Sequence, residues 1–283
     1  MRVSTSLNVL PPAADLRPAM TRVRAAGFDC ADLNLANHAE MRRALPFSGD
    51  GWRGWIENVA LDAEALHLPF NQAHGSKRID LDGDVSAELA MAVRHLEAAS
   101  LLGIPRVVFH AGKTADAARR FERNRTFFMA LCESAARLNV EIALENTFKP
   151  DELTASLENH IALIDALDTP LFGACWDTGH AHIARVDQRA GILALGRRLR
   201  ALHVQDGDGI SDVHTAPFYG AIDWEKVMRA LADADYRGDL TFEAPGFVRP
   251  LPDALKDGAL RQLCDIGRHL SGLFEERRVS RKG

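Results

Sequence analysis

Four side chains that can bind a cation stand at the ends of four separate short apolar runs. The runs end in Glu145, Asp177, His203 and Glu243. Burying one unpaired carboxylate in such a run costs several kcal/mol, because the charge loses its hydration. Three carboxylates that converge on one place therefore need a metal ion or a shared proton. The pattern predicts a buried centre for a divalent cation.

A second group of polar residues stands at the ends of strand-like runs or in the loops just beyond them. Its members are His67, His110, His180, Asp212 and His214. A single histidine beside apolar residues is more often a hydrogen-bonded core or surface residue than a ligand. These five, however, fall where the first four fall, whereas random placement would scatter His and Asp over helices as well. We expect them to be further metal ligands or substrate contacts.

Strand-like and helix-like segments alternate along the chain, which is typical of parallel βαβ units. Candidate strands cover residues 3–7, 30–35, 65–69, 106–111, 141–146, 171–177, 201–205 and 240–244. Apolar residues at helical spacing predict helices over 85–102, 117–138, 156–167, 224–234 and 254–274. Asp84 and Ser86 are candidate N-caps of the helix over 85–102, and Gly103 followed by Pro105 is a stop signal.

Eight such strand and helix repeats predict an α/β fold, a closed (β/α)8 TIM barrel that forms a single domain over residues 1–283. The active site of such a barrel lies at the carboxyl ends of its strands, so polar residues far apart in sequence would meet at one mouth. A doubly wound open sheet is the alternative. No Gly-rich phosphate loop follows the first candidate strand, which disfavours it.

The composition is typical of a globular protein and disfavours nucleic-acid binding and membrane insertion. The 283 residues, 47% of them hydrophobic, can bury a large core, and a net charge of -5 offers no basic face for nucleic acid. The four cysteines form no CxxC pair, so reduced thiols in a cytoplasmic protein are expected. The chain lacks a signal-peptide stretch at its start and an apolar run of membrane-spanning length. A homo-oligomer is compatible with the apolar content, although no patch in the sequence marks an interface.

Six short motifs in a fixed order carry a resemblance that runs over nearly the whole chain. They are His-x-Pro-Phe at 67–70, His-x-Gly at 110–112, Leu-Glu-Asn at 144–146, Trp-Asp-Thr-Gly-His at 176–180, His-Val-Gln-Asp at 203–206 and Gly-Ala-Ile-Asp-Trp at 220–224. In these motifs the chain resembles the xylose isomerase-like barrels. That family includes sugar isomerases and epimerases, inosose dehydratases and, as a relative, endonuclease IV.

The resemblance implies one divalent cation bound by Glu145, Asp177, His203 and Glu243, and no organic cofactor. Three carboxylates with one imidazole suit Mn²⁺, Co²⁺ or Mg²⁺, with Zn²⁺ able to compete. By the same resemblance Glu145 and Glu243 exchange protons with the substrate from opposite sides. His180 is expected to hydrogen-bond a substrate hydroxyl or carbonyl, with a hydrogen bond to the metal ligand Asp177 as the alternative.

The substrate side of the site is also predicted, with Phe70, Asn146 and Trp176 as substrate-binding residues. Sugar epimerases of this type often carry an Arg beyond the His-x-x-Asp/Glu stretch, whereas here Asp206 is followed by Gly207-Asp-Gly209. This departure favours an uncharged sugar or polyol derivative. Cations from other loops, Lys113, Lys149 and Arg185, could compensate.

The predicted function is therefore a divalent-metal-dependent isomerase or epimerase of a sugar or a polyol-derived keto sugar. The cation would polarise a carbonyl and stabilise the enediolate that forms when a positioned carboxylate removes the neighbouring proton. Loss of a β-hydroxyl at the same site would make the enzyme an inosose-type dehydratase.

The sequence is compatible with two further functions. All nine polar positions match the trinuclear zinc set of endonuclease IV, which would hydrolyse a phosphodiester. Against that reading, the acidic charge balance and the scarcity of Lys disfavour a protein that must hold a DNA duplex. The other hypothesis is a barrel that binds a sugar-like ligand or a partner subunit without turnover.

Overall fold

A parallel eight-stranded sheet forms the centre of the structure, a computed structural model that describes residues 1–11, 17–34, 62–67 and 79–281. The strands are β1 (Val3–Ser6), β2 (Cys30–Asn34), β3 (Asp62–His67), β4 (Arg106–Phe109), β5 (Glu141–Glu145), β6 (Phe172–Asp177), β7 (Leu199–His203) and β8 (Leu240–Phe242). Each lies within a few residues of a strand predicted from the sequence.

The sheet closes on itself. Its strands are ordered β7-β6-β5-β4-β3-β2-β1-β8, and each neighbour pair is parallel. The two ends meet where the backbone N–H of Val204 donates to the carbonyl of Thr241 at 2.7 Å and that of Glu243 donates to the carbonyl of Val204 at 3.0 Å. The predicted barrel is confirmed, and the open-sheet alternative is wrong.

Helices surround the barrel. Those that the structure describes are α1 (Arg17–Ala25), α2 (Ser86–Leu102), α3 (Arg120–Leu138), α4 (Leu157–Leu167), α5 (Thr178–Ile183), α6 (Gln188–Leu195), α7 (Trp224–Asp233), α8 (Pro245–Val248) and α9 (Asp253–Ser280). The sequence did not predict α1, α5, α6 or α8, and α9 extends past the predicted end at residue 274. Within the described residues no helix is long and apolar enough to cross a membrane.

The helix ends differ from the prediction in detail. Val85, not Asp84 or Ser86, is the N-cap of α2, and it makes no side-chain capping bond. Asp84 instead accepts hydrogen bonds from the backbone N–H of Ser86 at 2.9 Å and from its hydroxyl at 2.5 Å. The stop at Gly103 is confirmed, since this residue adopts a left-handed φ of 73° that costs little only for glycine.

The barrel interior holds a thin layer of small side chains. Val108, Ala143, Cys175 and Ala201 pack together there, one from each of β4 to β7. Successive strand residues point to opposite faces, so the residues two positions later point to the same interior. Those residues are His110, Glu145, Asp177 and His203. The strand period thus aims four of the predicted site residues into the barrel mouth.

Candidate metal and active site

The four residues predicted to bind a cation come together at the barrel mouth. Glu145, Asp177 and His203 end β5, β6 and β7, and Glu243 directly follows β8. All four are buried, and one ligand atom from each lies within 4.8 Å of the others. The Nδ1 atom of His203 lies 3.2 Å from Glu145 Oε2 and 3.3 Å from Glu243 Oε2.

The carboxylates of this cluster are strongly perturbed. Burial raises the pKa of Asp177 to about 6; the nearby His180 ring opposes the shift and the Glu145 carboxylate adds to it. Burial would also raise the pKa of Glu145, but the adjacent His110 and His203 rings hold it well below its usual range. Three buried carboxylates this close together need positive charge nearby.

The donor set fits a divalent cation. Three carboxylates and one imidazole nitrogen are the ligands that Mn²⁺, Co²⁺, Mg²⁺ and Zn²⁺ accept in proteins. The thiol of Cys175 also lies within reach of Glu145 and His203. Burial raises the pKa of that thiol to about 12, which disfavours the thiolate form that binds metal ions. The predicted four residues form a candidate donor set for such a cation.

Two histidines contact Glu145 from outside this set of four. His110 Nε2 lies 3.2 Å from Glu145 Oε2, and His180 Nδ1 lies 3.2 Å from Glu145 Oε1. The N-terminus of α5 positions His180, because its backbone N–H donates to the capping carboxylate of Asp177 at 2.7 Å. Both predicted histidines thus lie beside the cluster.

His180, Asp212 and His214 form a second group of ligand candidates. One ligand atom from each lies within 4.8 Å of the others. His214 Nε2 lies 3.1 Å from Asp212 Oδ1, and His180 Nε2 lies 3.6 Å from the same oxygen. Burial would lower the pKa of His214, but the Asp212 carboxylate outweighs it and raises the value to about 9. His180 belongs to this group and also contacts Glu145 of the first cluster.

Three buried polar residues that the sequence did not single out contact the cluster. The Asn8 amide donates to Glu243 Oε1 at 2.7 Å, and the Gln205 amide donates to Asp177 Oδ1 at 3.1 Å. Asp32 Oδ2 lies 3.3 Å from His203 Nε2. Asn8 directly follows the first candidate strand, so the pattern of polar residues just beyond strand ends could have indicated it. Asp32 is the third of the five residues of β2, and that pattern could not have indicated it.

Asn146 and Trp176, predicted to bind the substrate, both make contacts within the protein. The Asn146 amide pairs with the backbone of Asp177, donating to its carbonyl at 2.9 Å and accepting from its N–H at 2.6 Å. Trp176 faces the helices, where its indole N–H donates to Gln188 at 2.9 Å and where a Cβ on Gly191 would lie 2.5 Å from its ring. As neighbours on one strand, Trp176 and Asp177 must point to opposite faces of the sheet.

Two predicted residues cannot be located in the same way. Phe70 lies outside the described residues. His67 ends β3, but its side chain is outside the described part of the structure. Of the predicted alternative cations, Lys113 lies 3.7 Å from the buried Glu152, and Lys149 lies over the Phe148 ring at 5.8 Å.

Asp206 organises the loop that carries Asp212 and His214. Its carboxylate accepts hydrogen bonds from the backbone N–H groups of Gly207 at 2.8 Å and Ile222 at 3.1 Å and from the indole of Trp224 at 2.8 Å. These bonds tie both ends of the loop to the end of β7. The last residue of the His-Val-Gln-Asp motif is therefore structural.

Comparisons with known proteins agree with this architecture. Residues 20–263 match the family model described as xylose isomerase-like TIM barrel. The protein y4fM of Sinorhizobium fredii is 32% identical over 202 residues, which are 67% of this chain and 63% of that protein. The L-ribulose 3-epimerase of Methylomonas sp. is 25% identical over 249 residues, 82% of this chain and 79% of the epimerase. The chain thus spans less than two thirds of the length of y4fM.

Solved structures share the fold over nearly the full chain. A D-tagatose 3-epimerase-like protein superposes with a TM-score of 0.80 at 18% identity, covering 98% of this chain and 99% of that one. The D-psicose 3-epimerase of Clostridium cellulolyticum H10 superposes with a TM-score of 0.78 at 18% identity, covering 95% and 99%. At such identities the likeness is one of fold.

Proposed function

We propose that this chain, which belongs to the xylose isomerase-like TIM barrel family, is a divalent-metal-dependent epimerase of a ketose or a ketose derivative. The observation that carries the proposal is the pair Glu145 and Glu243, which approach the same nitrogen of His203 from β5 and β8, at 3.2 and 3.3 Å. Inversion at carbon needs a proton removed on one side and returned on the other, and two carboxylates supply both steps.

Glu145, Asp177, His203 and Glu243 would hold the cation. When bound, it would polarise the substrate carbonyl and stabilise the negative charge that develops when the adjacent C–H is deprotonated. The role of Asp177 is to bind only, because Gln205 and the backbone N–H of His180 both donate to its carboxylate. That leaves the two glutamates for proton transfer.

Each glutamate has one oxygen held by a neighbour. Asn8 donates to Glu243 Oε1 at 2.7 Å, so Oε2 is the oxygen that faces His203. In Glu145, Oε1 lies beside His180 and Oε2 beside His203. One carboxylate would take the proton from the substrate carbon, and the other would deliver a proton to the opposite face. Fixing the oxygens in this way keeps the distance for transfer short.

His180 is proposed to bind a substrate hydroxyl. Its ring packs against Phe148 with centroids 5.2 Å apart, and its Nε2 atom faces Asp212 at 3.6 Å. The L-ribulose and fructoselysine 3-epimerases among the relatives act on ketoses or on a ketose derivative, which supports that substrate class for this site.

The proposal is tested by hydrogen exchange at carbon. Metal-loaded enzyme is incubated in D₂O with a panel of ketopentoses and ketohexoses, and deuterium incorporation and epimer formation are followed by NMR. Glu145→Gln and Glu243→Gln should each lower the rate by at least about 10²- to 10⁴-fold, since each removes a proton-transfer group that is also a proposed ligand of the cation.

Glu141→Gln is the matched control, because Glu141 begins the same strand as Glu145 but pairs with Arg106 at the opposite end of the barrel. It should retain full activity. Absence of exchange with every ketose would contradict the epimerase proposal, and loss of water without inversion would favour the dehydratase.

A second candidate function, phosphodiester hydrolysis at a zinc cluster, is favoured by the His180, Asp212 and His214 group beside the first cluster. Adjacent metal ions can activate a hydroxide and stabilise both displaced oxygens. Hydrolysis of bis(p-nitrophenyl) phosphate or of an abasic-site oligonucleotide by zinc-loaded enzyme, abolished by Asp212→Asn, would favour it. The net charge of -5 argues against a DNA substrate.

A further inference from the structure

We propose that Asp32 is a positioning residue that orients the imidazole of His203, so that the Nδ1 lone pair of His203 points into the metal-binding cluster. The inference rests on the proposed metal site and adds a residue from β2 to it. Asp32 Oδ2 lies 3.3 Å from His203 Nε2.

The two ring nitrogens of His203 face different partners. Nδ1 lies beside the carboxylates of Glu145 and Glu243, and Nε2 lies beside Asp32. A neutral imidazole carries its proton on one nitrogen and a lone pair on the other. A carboxylate can only accept, so Asp32 selects the tautomer in which Nε2 carries the proton. Nδ1 is then the nitrogen able to bind a cation.

Burial makes this selection strong. Asp32 and His203 are 0% and 1% exposed, so water does not compete for the contact. Within the described part of the chain, the other oxygen of Asp32 makes no hydrogen bond. Burial of a carboxylate with so few partners lowers the stability of the fold, and the contact with His203 offsets part of that loss.

The barrel brings the two residues together from different strands. In the closed sheet β8 and β1 separate β7 from β2, so the His203 ring must reach across the interior. The pairing of β2 with β3 is irregular between Ala31 and Asp32, where one residue of β3 is skipped. Such irregularities re-aim side chains. Asp32 is therefore placed at the point where β2 changes register.

Carboxylate partners of metal-binding histidines fix the ring and raise its basicity, and their loss typically weakens metal binding by roughly 10- to 100-fold. Asp32→Asn should cause a loss of that size, because the amide keeps the shape but removes the charge. Asp32→Glu keeps the charge and should recover part of the affinity if the longer side chain still reaches Nε2.

The test measures metal affinity and not turnover. Apo protein is prepared by chelation, and Mn²⁺ binding is measured by competition with a fluorescent chelator for wild type, Asp32→Asn and Asp32→Glu. Asp165→Asn is the matched control, since Asp165 is an exposed carboxylate paired with Arg198 on the helix surface. Circular dichroism checks that each variant is folded.

A second measurement needs no variant. In wild-type protein labelled with ¹⁵N-histidine and loaded with diamagnetic Zn²⁺, the Nε2 atom of His203 should carry the proton. A proton on Nδ1, or Mn²⁺ affinity of folded Asp32→Asn within threefold of wild type, would overturn the role of Asp32 alone. Wild-type protein that binds no divalent cation would overturn both this role and the proposed function.

Discussion

Among the single residues of the cluster, Glu145 and Asp177 are neighbouring carboxylates whose pKa values are shifted in opposite directions. Burial dominates at Asp177 and raises its pKa to about 6. At Glu145 burial acts the same way, but three neighbouring imidazoles outweigh it and keep its pKa well below the usual range. Glu145 is thus a carboxylate at neutral pH, as a proton acceptor must be.

The cluster predicts how much metal the purified protein contains. Purified wild-type protein, analysed by plasma mass spectrometry, should contain about one Mn, Co or Zn per chain, because one four-residue donor set is complete. Glu243→Gln should lose the ion, since the amide is a weaker, uncharged ligand.

Glu141→Gln, at the other end of the barrel, serves again as the control and should retain the ion. Near three Zn per chain would contradict the single-ion prediction and move the zinc phosphodiesterase to first place.

At the scale of elements, the helices are anchored to the strands that carry the site. His160 of α4 is fully buried, and its Nε2 atom lies 2.9 Å from the carbonyl oxygen of Leu144, next to Glu145. Burial lowers the pKa of His160 from 6.5 to about 4. His95 of α2 is shifted in the same direction by the same cause.

This predicts loss of stability in mild acid. The folded pKa lies below the unfolded value, so the unfolded chain binds more protons between pH 6.5 and about 4. Stability from each such histidine is present above pH 6.5 and is lost as the pH falls, by up to about 1.4 kcal/mol per pH unit. The free energy of unfolding, measured in urea at several pH values in this range, should fall less steeply with decreasing pH for His160→Gln than for wild type.

The exposed His269 of α9 provides the comparison. His269→Gln should leave the slope of stability against pH unchanged. Equal slopes for wild type and His160→Gln would show that the buried ring does not titrate with unfolding.

Alanine substitutions at two glycines of α9 should change the stability of the protein in opposite directions. A Cβ on Gly267 would lie 2.4 Å from Val3 Cγ1 and 2.8 Å from the Phe242 ring, whereas one on Gly272 meets nothing within 4 Å. Gly267→Ala should destabilise the protein by about 1–3 kcal/mol through overpacking. Gly272→Ala should stabilise it by about 0.5–1 kcal/mol, because alanine favours a helix interior.

The free energy of unfolding in urea checks both glycine variants against wild type. Destabilisation by Gly272→Ala, or no effect of Gly267→Ala, would show that α9 does not pack on β1 and β8 as described.

At the scale of the whole molecule, the site draws on the entire closed barrel. The cluster and its supports come from both ends of the chain: Asn8 and Asp32 from the first two strands, and Glu243 from the end of the last. The chain ends are also joined, since the N-terminal amine lies 3.1 Å from Glu275 in α9. Loss of the cation should therefore lower the stability of the whole fold.

We expect chelation to lower the thermal midpoint. A ligand present at about 100 times its Kd adds roughly 2.7 kcal/mol of stability, which in a protein of this size corresponds to several degrees. Differential scanning calorimetry with EDTA, and again after Mn²⁺ is restored, measures the shift. An unchanged midpoint after proven metal loss would mean that the cluster carries no cation on which folding depends.

Much of this protein is determined by the sequence alone, because strand and helix periods are local properties. The succession of strand-like and helix-like segments predicted the barrel, and the positions of Glu145, Asp177, His203 and Glu243 at strand ends placed them at one mouth. The alternation of successive side chains between the two faces of a strand would also have turned Trp176 away from the site, since it neighbours Asp177 on β6.

Only the tertiary structure decided which side chains support the cluster. Asp32 and His203 are 171 positions apart in sequence, and Asn8 and Glu243 are 235 apart. No local pattern links such pairs, because closure of the sheet sets their distance. The pairing of the Asn146 amide with the Asp177 backbone likewise depends on the register of β5 against β6. Residue type indicated the chemistry, and the closed barrel decided which atoms face one another.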